Sequence, residues 1–94
     1  MDIKSKASAG TIQSSDLMVF VEPATALEIE IESTVKQQFE SLIRERVEES
    51  LQRLGVTKGR LRISDRGALD YAIDARIETA LRRAATVNEQ EEGR

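Results

Sequence analysis

The chain has 94 residues, 39% of them hydrophobic and 33% charged, with a formal net charge of −3, the profile of one small soluble domain with a single modest core. That negative balance argues against electrostatic capture of nucleic acid or anionic lipid, and no apolar run approaches the ~20 residues needed to span a bilayer. Cysteine and histidine are both absent, which removes disulfides, a thiolate nucleophile, Cys-based metal sites and the one side chain that titrates near neutrality.

In chain order, Met1 to Lys6 is polar and expected to be a flexible start or a weak edge, without a signal-peptide core, so the expected location is the cytoplasm. Ala7 to Gln13 reads as a short strand, and Gly10 makes it a poor central one. Ser14-Ser15-Asp16 is a turn signal, because each of these side chains can hydrogen-bond a nearby backbone group. Leu17 to Val21 is apolar on both faces and reads as a buried strand. Pro23 marks a connection, after which Leu27, Ile29 and Ile31 alternate with Glu28, Glu30 and Glu32 in a half-buried strand.

At Ser33 the period changes. Ser33 or Thr34 is placed to cap a helix whose apolar stripe is Val35, Phe39, Leu42, Ile43, Val47, Leu51 and Leu54. Gly55 ends that helix. Lys58 to Ser64 forms another alternating strand, with Leu61 and Ile63 inward and Arg60 and Arg62 outward. Asp65-Arg66-Gly67 turns the chain into a second helix from about Ala68 to Ala85, with Leu69, Ala72, Ile73, Ile77, Ala80, Leu81 and Ala84 facing inward. Asn88 to Arg94 has nothing to bury, so residues 87–94 are expected to be a disordered charged tail beside a single 7–86 domain.

The order β-β-β-α-β-α implies an α+β fold: a two-layer α/β sandwich with two helices packed on one face of a small mixed sheet. The Leu27 strand, the first helix and the Leu61 strand suit a right-handed βαβ unit. Glu28, Glu30 and Glu32 then share the open face with Arg60 and Arg62. The glutamates, about 6.6 Å apart along a strand, are too splayed to chelate one ion, and no metal is expected. Arg60, Arg62 and Arg66 have the guanidinium forks that fit phosphate, although pairing with the glutamates accounts for them more simply. On the Leu17 strand, either Leu17, Val19 and Val21 or Met18 and Phe20 lie on the open side. That side is covered locally or docks a partner.

Catalysis by carboxylates or lysines needs a desolvated pocket, and a domain with two Phe, one Tyr and no Trp has little material to build one. A free-standing enzyme is therefore disfavoured. Composition does not choose between the neighbouring hydroxyls of Ser14 and Ser15.

The run Ala9-Gly10-Thr11-Ile12-Gln13-Ser14-Ser15-Asp16 resembles the N-terminal signature of the citrate lyase acyl carrier protein, the gamma subunit of that enzyme. The likeness continues through Ser33-Thr34-Val35-Lys36-Gln37-Gln38-Phe39, resumes at Asp65-Arg66-Gly67-Ala68-Leu69-Asp70 and closes at Ala75-Arg76-Ile77-Glu78, in the family's order and spacing. Tyr71 departs from it, standing where relatives often carry Cys. The resemblance implies a non-catalytic carrier subunit. Ser14 would carry, through a phosphodiester, a phosphoribosyl-dephospho-CoA group derived from 2'-(5''-triphosphoribosyl)-3'-dephospho-CoA. Its thiol would hold acetyl and citryl thioesters while citrate is cleaved to acetate and oxaloacetate. The implied partners are the alpha and beta subunits of citrate lyase and a prosthetic-group transferase, with no nucleic acid and no membrane. A chain without Cys must receive its thioester sulfur on a cofactor, which agrees with this reading. The alternatives are the acyl carrier of malonate decarboxylase, and a structural or regulatory subunit with no covalent group.

Overall fold

A computed structural model describes residues 1–33 and 38–86. The elements are β1 (Ala7–Gly10), β2 (Leu17–Glu22), β3 (Leu27–Ser33), α1 (Gln38–Leu54), β4 (Gly59–Asp65) and α2 (Asp70–Ala85). Four strands form one mixed sheet in the order β1-β2-β4-β3. β2 pairs antiparallel with both β1 and β4, while β3 runs parallel to β4 across the α1 connection. The α+β sandwich expected from the element order is the observed fold.

Alternation along the strands decides which side is wet. In β4, Leu61 and Ile63 are buried beneath the helices and Arg60 and Arg62 face outward. The in-register partners in β2 follow suit, so Leu17, Val19 and Val21 are buried and Phe20 lies on the open face. Arg62 stacks its guanidinium 5.7 Å from the Phe20 ring centroid. The expected Glu–Arg pairing is present: Arg60 contacts Glu22 and Glu28 at 3.0 Å each, and Arg62 contacts Glu30 at 3.4 Å. These exposed pairs are screened by solvent and add little to stability; the core sits on the other face.

There Ile43, Val47 and Leu51 of α1 and Ile73, Ile77, Ala80, Leu81 and Ala84 of α2 close over the sheet. Burying each larger aliphatic side chain is worth about 1.5–3 kcal/mol. Arg46 ties the helices together through Asp70 at 3.0 Å and Asp74 at 2.8 Å. Helix α1 ends as expected at Gly55, whose φ of 71° is left-handed. The Val56 amide reaches back to the Leu51 carbonyl at 2.9 Å and seals the exposed helix end.

Several expectations need correction. β1 stops at Gly10 instead of running to Gln13, because Gly10 leaves the strand at a φ of 96°. Leu42 and Leu69, assigned to inward stripes, are 37% and 58% exposed. They line a groove with Ala68 and Ile73 between the first turns of the two helices, where no third layer lies above them. Leu27 is exposed because it opens β3, an edge strand. Met1 and Ile3 pack against the core, and the Lys4 and Ser5 amides donate to the Ala84 carbonyl at 2.8 and 3.0 Å, so residues 1–6 are seated on the end of α2. Ser50 and Val56, outside the expected stripes, are also buried. Ser33 closes β3; Thr34, Val35, the Phe39 side chain and the 87–94 tail lie outside the described residues.

Candidate functional site

The β1–β2 connection contains Ser14 at the end of the sheet where β4 also finishes, since Leu17 and Ser33 both stand in register with Asp65. The Asp16 amide donates to the Gln13 carbonyl at 3.2 Å, closing a four-residue turn with Ser14 and Ser15 at its centre. Ser15 has a φ of 66° and is the one non-glycine residue with positive φ among those described. A positive φ confined to the third position has the character of a type II turn, in which glycine is usual. Ser14 therefore occupies the leading corner, exposed, with no hydrogen bond from its hydroxyl among the described residues.

The turn is strongly braced. Asp16 accepts from the Thr11 hydroxyl at 2.7 Å, from its neighbour's Leu17 amide at 2.7 Å, and from both Nε and Nη2 of Arg76 at 3.1 and 3.0 Å. The Arg76 guanidinium, followed by the Thr11 hydroxyl, holds the Asp16 carboxyl down to about 2 from its ordinary 3.8. Thr11 Oγ1 also accepts from the Gln13 amide at 3.2 Å. On the other flank, the Ser15 amide donates to the Arg66 carbonyl and the Arg66 amide to the Asp16 carbonyl, both at 2.8 Å. The turn is thus tied to α2 through a side chain and to the β4–α2 loop through its backbone. Sequence reasoning named Arg76 only within the Ala75-Arg76-Ile77-Glu78 likeness and gave it no role at the turn. It lies 60 residues from Asp16, and no local spacing relates the two.

The arginines grouped by sequence are separated in space. Arg60 and Arg62 lie on the open sheet face within the glutamate pairs. Arg66 alone is at the turn. Asp65, next to it, is buried and accepts from the Ser33 hydroxyl and the Ala68 amide, each at 3.0 Å. Tyr71 is on the surface of α2, 74% exposed. Among the described residues no group of three or more acidic side chains is placed to hold a metal ion, and no helix is long and apolar enough to cross a membrane.

The chain is thus a small α+β sandwich with a braced, exposed serine turn at one end of its sheet. Comparison with known proteins gives it a family. Residues 4–84 match the acyl-carrier family model described as malonate decarboxylase delta subunit (MdcD). The citrate lyase acyl carrier protein of Halothermothrix orenii is 45% identical over 86 residues, covering 90% of this chain and 92% of the relative. That of Clostridium perfringens is 47% identical over 91 residues, covering 95% and 90%. A chain in the crystal structure of a Pseudomonas malonate decarboxylase hetero-tetramer has the same fold, with a TM-score of 0.77 at 23% identity over 87% of this chain and 86% of that one. This chain belongs to the family of the citrate lyase acyl carrier proteins.

Proposed function

We propose that the protein is the non-catalytic acyl carrier subunit of a cytoplasmic citrate lyase, with Ser14 as the attachment point of a phosphoribosyl-dephospho-CoA group. The observation that carries this reading is the 45–47% identity to citrate lyase acyl carriers along nine-tenths of the chain, combined with a serine at the corner of a braced turn. When bound, the group supplies the thiol that this Cys-free chain lacks, so that acetyl and citryl can be held as thioesters during cleavage of citrate to acetate and oxaloacetate.

The chain's own residues present and hold. An exposed corner lets a transferase reach the Ser14 hydroxyl. Asp16, clamped by Arg76 and Thr11, keeps the turn backbone in one conformation, so the tether leaves the domain from a fixed point. A fixed tether raises the effective concentration of the acyl group at the lyase alpha and beta subunits, the partners in this reading. Ser15 is the less suitable hydroxyl: its backbone is pinned to Arg66 in a left-handed conformation, with less freedom to follow an incoming enzyme.

The family model's description also supports a malonate decarboxylase carrier. The identity to the citrate lyase carriers ranks that reading second. Intact mass of protein co-expressed with the modification enzymes should show one added group, present in Ser15→Ala and absent in Ser14→Ala. An adduct that survives Ser14→Ala refutes the site. Assaying the holo-protein with each alpha-type acyl transferase separates citrate from malonate chemistry. Lyase activity retained by Ser14→Ala would favour a subunit without a covalent group.

A further inference from the structure

Among the described residues every arginine but one has an acceptor: those of β4 and of both helices contact carboxylates or, for Arg83, the Ser8 carbonyl. Arg66 is the exception. Its Nε is buried without any hydrogen-bond partner. An Arg66 Nε–H with no acceptor among the described residues leaves a donor open to an acceptor brought by a bound group.

Its location narrows the choice. The backbone of Arg66 is held between Ser15 and Asp16 by two hydrogen bonds of 2.8 Å, one residue from Ser14. The carboxylates nearest along the chain and across the ladder are engaged elsewhere. Asp16 is taken by Arg76, Thr11 and the Leu17 amide, and Asp65 by Ser33 and the Ala68 amide. Arg76 already offsets the charge of Asp16, and among the described residues no carboxylate lies within ion-pair distance of the Arg66 guanidinium. Arg60 and Arg62 do not share that position, since both are committed on the open sheet face.

We propose that Arg66 is the anion seat of the modified turn, donating from its guanidinium to the phosphodiester oxygens of a group attached at Ser14. This rests on the reading of Ser14 as the attachment point. A guanidinium suits such a seat, because it stays charged at all accessible pH and its planar donors match two oxygens of one phosphate. The arrangement would dock the first segment of the tether against the β4–α2 loop and limit the directions in which the arm can leave. Arg66 is then a positioning residue, apart from the acyl chemistry at the far end of the arm.

The test compares 15N-labelled apo-protein and holo-protein. Intact mass and peptide mapping first establish that Ser14 is loaded; if the wild-type protein carries no group there, the attachment reading itself fails, and that failure is visible before any spectrum is recorded. In the loaded protein the arginine Nε–H signal missing from Arg66→Lys, and so assigned to Arg66, should shift downfield relative to apo-protein. The Arg76 signal should stay in place. The 31P signal of the phosphodiester should move in loaded Arg66→Gln towards that of the free, unstructured group. Should Arg66→Gln fail to fold, loaded Arg66→Lys serves for the 31P comparison, since it keeps the charge and lacks the fork. Coincident Arg66 Nε–H signals in apo- and holo-protein, with the Ser14 and Ser15 amides shifted, would overturn the proposal. So would a 31P signal indifferent to both substitutions.

Discussion

Protonating Asp16 should loosen the turn that presents Ser14, and the cost can be worked from its contacts. The carboxylate accepts four hydrogen bonds, two of them from one guanidinium, which together depress its pKa from 3.8 to about 2. At about 1.4 kcal/mol per unit, that depression corresponds to about 2.5 kcal/mol favouring the folded carboxylate. The Asp16 side chain is only 15% exposed but that of Arg76 is 41% exposed, so solvent screening reduces the figure to about 1–2 kcal/mol. The sign follows from the direction of the shift. A carboxyl whose pKa is lower in the folded chain contributes its full stability above the unfolded value near 3.8 and loses it as pH falls towards 2. Urea unfolding followed by circular dichroism, at intervals from pH 7 to pH 2.5, should show Asp16→Asn less stable than wild type by about 1–2 kcal/mol above pH 5. The gap should narrow steadily through pH 4 and 3. A gap that is absent at pH 7, or one that stays constant down to pH 2.5, would refute the reasoning.

Other substitutions test the surrounding frame by the same unfolding measurement. A Cβ at Gly10 would overlap the Leu17 carbonyl oxygen while the residue holds a φ of 96°, so Gly10→Ala should lose about 3 kcal/mol or more; a loss under 1 kcal/mol would show that the strand end can shift freely. Leu61→Ala removes a fully buried side chain from the central strand β4 and should cost about 2–5 kcal/mol. Tyr71→Ala, by contrast, alters a side chain that is 74% exposed and should change stability by no more than about 0.5 kcal/mol.

Local periodicity carried most of the fold. The β3 and β4 alternations and the stripes of α1 and α2 name their elements to within a few residues, because burial on one face imposes a period that the chain itself must contain. What periodicity lacks is the neighbourhood of each face. Leu42 and Leu69 fit their stripes, yet those positions line a groove past the end of β4 and between the first turns of the helices. The pairing of β2 with β4, separated by β3 and α1 along the chain, likewise leaves no local trace.

The site divides in the same way. Ser14-Ser15-Asp16 is legible as a turn because its backbone reversal is locally encoded. Its bracing is not, since Arg76 and Arg66 arrive from distant segments that the fold brings together. Arg60, Arg62 and Arg66 look like one cluster only when read along the chain. An alternating strand sends the first two to the open face, and the loop after β4 delivers the third to the opposite flank of β2 from β1.

The seating of Met1 beside Gly55 has a practical consequence for handling the protein. The N-terminal amine donates to the Gly55 carbonyl at 3.2 Å, and Ser5 reaches Ala84 and Thr86, so the start of the chain and the close of α2 share the end of the sandwich remote from Ser14. The 17 residues of α1 separate the two ends by about 25 Å. An affinity handle, a fluorophore or an immobilising linker joined at Met1 stands clear of the serine turn, and a surface-captured chain would present Ser14 outward.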